Sequence, residues 1–172
     1  MPYAGIRWDR LLHTTSVDCI LHTSGVLLFE HMVPRRNTFN PKRRLATRPP
    51  GADLEHLSSI VNYGGNPEHK RNPGDFGLTP PSSPRADKTL CDGVRIFRRE
   101  MALDLLRKGV LLGMLSAQTR NGFPQYIWAV TDDGEPLEAQ LENQTTGTYH
   151  GYPMPLNDPF RQTVLDAWRG FQ

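Results

Sequence analysis

Cysteine is scarce in this chain. Cys19 and Cys91 are the two among 172 residues, too few and too far apart for a disulfide framework or a zinc site. Long apolar runs are missing as well: no stretch approaches the ~18 residues that a bilayer span needs. The N-terminus, MPYAGIRWDRLLHTT, has none of the apolar core that directs secretion. These absences lead us to expect a soluble chain in a reducing cytoplasm. There is no phosphate-cradling loop, because Tyr63-Gly64-Gly65-Asn66 lacks the Lys-Ser/Thr ending and the strand–helix setting. His13, His22 and His31 recur every nine residues, a spacing that suits no metal site, so neither a metal nor a cofactor is expected.

What is present is polar and stiffened. Apolar residues make up 37% of the chain, low for a globular protein, and 15 glycines with 15 prolines account for much of the deficit. The length suits one domain with an arm. The net charge of +2 is unevenly spread: residues 1–50 carry +5, residues 51–109 carry +1 and residues 110–172 carry −4. A basic front half favours a polyanionic partner. Within it, residues 34–50 hold six Lys/Arg and no acid, the composition of an arm that contacts phosphate backbones or keeps the chain soluble.

The periodicity predicts an α+β domain over residues 51–172, preceded by a hairpin and the basic arm over 1–50. Val17–Leu21 and Val26–Phe29 are strand-like runs separated by His22-Thr23-Ser24-Gly25. Residues 53–62 read as a short helix with Asp53 as N-cap. Residues 94–109 read as a longer helix with Asp92 as N-cap and Gly109 as its stop. Four strands of an antiparallel meander follow, over Leu111–Gln118, Gln125–Thr131, Leu137–Glu142 and Gly147–Tyr152. Asn121-Gly122 marks a hairpin turn, and Leu137–Glu142 alternates as a half-buried strand with one wet face. Residues 158–170 close the chain as a helix, with Asp158 as N-cap and Pro159 at its first position.

Between the first two helices lies Tyr63–Asp92, with five prolines, four glycines and no apolar period. A loop this long inside a compact domain is uncommon and usually functional or disordered. It carries His69, Lys70 and Arg71 in PEHKRNPGD, and further on Arg85 and Lys88. Cleavage of RNA without a metal needs a base for the 2′-hydroxyl proton, an acid for the leaving 5′-oxygen, and cations on the phosphorane. Two imidazoles can fill both proton roles near neutral pH. His69 and His150 (in TYHGYP) are the candidates, with Lys70 and Arg71 on the phosphate. Tyr149 and Tyr152 could stack or hydrogen-bond a base, and Arg85 and Lys88 could add to substrate binding. Arg95, Arg98 and Arg99 share a helix face, where they serve an anion or are merely solvated. Cys91 reads as a buried thiol.

Residues 64–171, with GGNPEHKRNPGDFGL, KTLCD, PQYIWAV and GTYHGYPMPLNDPF, resemble small bacterial toxin-type domains. The helix-then-sheet layout is similar to that shared by barnase, colicin nucleases and RelE-like toxins. The resemblance implies a metal-independent endoribonuclease with a cognate inhibitor, or antitoxin. Two other readings stay open: a non-catalytic nucleic-acid-binding module, and a protein-interaction domain whose proline-rich loop is the epitope.

Overall fold

The computed structural model describes residues 40–47 and 53–171; the N-terminal hairpin expected over Val17–Phe29 lies outside them. The elements are α1 (Leu54–Ile60), β1 (Asn62–Tyr63), α2 (Arg99–Leu111), β2 (Thr119–Arg120), β3 (Phe123–Pro124), β4 (Tyr126–Val130), β5 (Pro136–Asn143), β6 (Thr148–Pro153) and α3 (Arg161–Gly170). The fold is α+β, as expected. β4, β5 and β6 form an antiparallel meander, and β1 adds to the far edge of β6 in parallel, giving a mixed sheet in the order β1-β6-β5-β4. β2 and β3 make a separate two-residue ribbon around Asn121-Gly122, both with positive φ as that turn requires.

The expected first meander strand, Leu111–Gln118, is where the structure departs most from the sequence pattern. α2 runs through Gly109 to Leu111 instead of stopping there. Gly109 is needed for close approach: a Cβ on it would lie 2.3 Å from the Trp128 carbonyl oxygen. Chain reversal falls to Gly113, at φ 73. The fourth strand is the parallel β1, too short to show a period of its own.

The helix ends also divide. Asp53 caps α1 by accepting from the His56 N–H at 2.7 Å. Asp92 caps no α-helix; α2 begins at Arg99 after a 3₁₀ turn over Cys91–Val94. Residues 44–46 pair with 115–117 through Ala46 N–H to Leu115 O and Ala117 N–H to Arg44 O, both 2.8 Å. Part of the basic segment is therefore packed on the domain. The core gathers Val61, Leu106, Val110, Met114, Ile127, Trp128, Tyr149 and Val164. Among the described residues no helix is long and apolar enough to cross a membrane.

Candidate functional site

The antiparallel register fixes which side chains share a face, because directly opposed residues point the same way. Gln140 lies opposite His150 and Tyr126, and Glu138 lies opposite Tyr152 and Trp128. One face of the sheet thus carries Tyr126, Trp128, Glu138, Gln140, His150 and Tyr152. Alternation alone marks it as the wet face. At one end it is not wet, since Glu138 is 3% exposed.

A carboxylate buried that deeply must have its oxygens satisfied. Glu138 Oε1 accepts from the Tyr152 hydroxyl at 2.6 Å, and Oε2 accepts from Trp128 Nε1 at 3.0 Å and Arg43 Nε at 2.6 Å. The Arg43 guanidinium then turns its other edge to Asp158, with two parallel bonds of 2.9 and 2.8 Å, and lies 5.1 Å from the centre of the Phe160 ring. Burial works against the charge on Arg43. The bonds and charge of Asp158 and Glu138 outweigh it, and its pKa lies above the ordinary arginine value. The planar fork suits this bidentate task as lysine would not. Arg43 therefore serves the fold, whereas the basic run around it suggests phosphate contact.

The proline- and glycine-rich segment packs onto the same face. Its first 3₁₀ turn, Pro67–His69, is capped by Asn66, whose side chain accepts from the Glu68 N–H. This seats His69 at 2% exposure, its ring stacked on Tyr152 with centroids 4.6 Å apart and planes 23° apart. His69 Nδ1 is 2.7 Å from the Thr89 carbonyl oxygen; a carbonyl only accepts, so Nδ1 carries the proton. Thr89 is itself tied to the end of β6, its hydroxyl donating to Pro153 O at 2.6 Å.

His150, two residues before Tyr152, has its ring centroid 6.1 Å from the same phenol. The two imidazoles are therefore no farther apart than those two distances combined. Opposite, a register shift between Leu141 and Asn143 leaves Glu142 as the extra residue of a β-bulge, the kind of irregularity that re-aims a side chain. Glu142 Oε2 comes to 3.8 Å from His150 Nδ1, with the carboxylate side chain 53% and the imidazole 17% exposed.

The predicted cations take other places. Lys70 Nζ is wholly buried and donates to Asp92 Oδ1 at 3.0 Å and to Ile96 O at 3.2 Å, with Phe97 O at 3.5 Å. It also sits 4.5 Å above the Phe76 ring. It braces the loop and cannot reach a phosphate from there. Arg71 is exposed, and its backbone N–H donates to Asp92 Oδ2 at 2.9 Å. Burial opposes the charge on Asp92, but these donors outweigh it and hold its carboxyl below the usual range. Arg85 is exposed and paired with Asp87 at 2.7 Å, and Lys88 is half-buried. Tyr149 is core, its hydroxyl donating to Pro124 O at 2.6 Å, so no base can stack on it. Tyr152 is likewise covered, by His69. Cys91 is buried, and burial pushes its thiol up to about 12.

Sequence reasoning missed Glu138, Asp158, Arg43 and Glu142. Glu138 and Glu142 share the alternating pattern of solvent-facing residues, and nothing local distinguishes the buried one from the bulged one. Among the described residues no group of three or more His, Cys, Asp or Glu is placed to hold a metal ion. No protein-family model, curated protein or solved structure matches the chain, and the chemistry open to it follows from the geometry above.

Proposed function

We propose that the domain is a metal-independent endoribonuclease of toxin or effector type, restrained by a cognate inhibitor protein. The carrying observation is the bulged Glu142 carboxylate 3.8 Å from the partly exposed His150 ring. A carboxylate and an imidazole together supply the base and the acid that RNA cleavage requires. Glu142 takes the proton from the 2′-hydroxyl, whose oxygen attacks phosphorus. His150 delivers a proton to the departing 5′-oxygen, leaving a 2′,3′-cyclic phosphate on one fragment. In this scheme His69 is a positioning residue, acting through Tyr152 and shielded from substrate. Lys70 braces the loop.

The test uses labelled RNA in the presence of EDTA. Cleavage should yield cyclic-phosphate ends, spare an all-2′-deoxy substrate, and fall about 10²–10⁴-fold in His150→Ala and Glu142→Gln. An unaltered rate in His150→Ala would overturn the mechanism. The burial of His69 and Lys70 favours a second reading, a non-catalytic RNA-binding module in which exposed arginines dock phosphates. Binding that falls steeply with salt, with no cleavage by the wild-type chain, would select that reading.

A further inference from the structure

The buried Lys70 points to a surface beyond it. Its ammonium donates to Asp92 and Ile96 O and lies 3.5 Å from Phe97 O, while Asp92 also takes the Arg71 N–H and its carbonyl takes the Arg95 N–H at 3.2 Å. One internal cation thus fixes Arg71 and the 92–97 turn against each other. That turn leads into α2 and carries exposed Arg95, Phe97, Arg98 and Arg99.

Two features set this patch apart from an ordinary solvated face. Phe97 is 50% exposed between the arginines, an apolar ring in water on a turn whose carbonyls the Lys70 ammonium engages. Arg95 holds φ 62, the left-handed region where glycine sits without strain and an arginine does not. Asp75 and Glu100 are exposed beside the four arginines 71, 95, 98 and 99, and Asp104, Asp132 and Asp133 share a cleft with Arg95 and Lys108. Arg99 is partly engaged, its Nε donating to Tyr63 O at 2.7 Å. The remaining cations alternate with an aromatic face, which is how proteins hold a single strand: phosphates on arginine, a base on the ring.

We infer that Arg71, Arg95, Phe97 and Arg98 form a docking platform for single-stranded RNA, held rigid from beneath by Lys70 and Asp92. This rests on the ribonuclease reading for the choice of RNA, but its test does not need catalysis. The full chain is titrated against a fluorescent 2′-O-methyl RNA of about 12 residues, which lacks the attacking hydroxyl, at several salt concentrations. The variant Arg71→Ala/Arg95→Gly/Arg98→Ala keeps the left-handed turn available. It should bind more weakly, and the slope of log affinity against log salt should flatten by about 2, at ~0.7 per lost contact. Phe97→Ala should weaken binding roughly 5- to 150-fold, the range for one stacked base, with the salt slope unchanged.

Wild-type affinity in both platform variants would overturn the inference. So would unchanged binding in Phe97→Ala together with equal affinity for duplex RNA, which would describe a plain cationic surface. If the platform variants behave as stated and no RNA is ever cleaved, the catalytic reading falls and the platform stands. If cleavage is real and its KM is untouched in both variants, the platform falls alone. Arg98→Ala by itself, at an exposed position whose side chain has no hydrogen-bond or ion-pair partner among the described residues, keeps the test available should the triple variant fail to fold.

Discussion

The two ends of the polar sheet face share one alternating pattern and have opposite fates. At the Glu138 end every charge is enclosed: Arg43, Asp158, Trp128 and Tyr152 close around a carboxylate that is 3% exposed. At the Glu142 end, four residues on, the carboxylate stands at 53% exposure beside His150. What separates them is what lies on top. Residues 40–47 and the turn before α3 cover the first end, and a bulge turns the second outward. A charge becomes structural when its desolvation is matched by fixed partners, and stays available for chemistry when it is not.

The largest effect that tests this contrast is at the enclosed end. Arg43→Ala leaves Glu138 and Asp158 facing each other without their shared cation, and breaking such a pair costs about 3–5 kcal/mol. The denaturant midpoint should fall accordingly with its slope unchanged. A loss below about 0.5 kcal/mol, the scale of ordinary surface changes, would mean that Arg43 is not seated as described. An intermediate effect belongs to the brace under the loop. Asp92→Asn should cost about 1.5–3 kcal/mol near neutral pH, as for hydrogen bonds to charged groups. Its pH dependence has a definite sign. The folded pKa lies below the ordinary carboxylate value, so its stabilisation is complete above about pH 5 and is lost as the pH falls through that lowered value. Melting curves of wild type and variant should therefore differ by a constant amount from pH 5 to 8 and converge below about pH 4.

Much of the scaffold can be read from the chain alone, and the reasons for the failures are physical. Long periodic segments announce themselves: β5 and the bodies of α2 and α3 fall where their apolar spacing puts them, although α3 begins at Arg161 and not behind an Asp158 cap. Turn residues with one conformational use are equally plain, as at Asn121-Gly122 and at the Asp53 cap. Contacts between distant segments are not. Gly109 reads as a helix stop because glycine commonly ends helices, but it is selected by a carbonyl on β4 that only the fold brings near. Lys70 reads as a phosphate ligand from its neighbours in sequence, and its partners Asp92 and Ile96 lie more than twenty residues on. His69 reads as an acid or base partner of His150, and the fold instead buries it against the Tyr152 ring, eighty-three residues on, where no local signal could place it.

The smallest effect on stability should come from the open end, and its smallness is informative. Glu142 occupies a bulge, makes its closest charged approach to His150 at 3.8 Å, longer than a hydrogen bond, and keeps half its surface in water. Among the described residues its carboxylate accepts no hydrogen bond within 3.5 Å, so Glu142→Gln should change folding free energy by no more than about 0.5 kcal/mol. A group built into the fold would register in the melting temperature before it registered in anything else. A group kept for chemistry should do the reverse, leaving the melt untouched while the cleavage rate drops. If Glu142→Gln melts several degrees lower and binds or cleaves RNA as wild type does, the bulge is a structural device. The contrast between the two ends of the face would then be one of exposure alone.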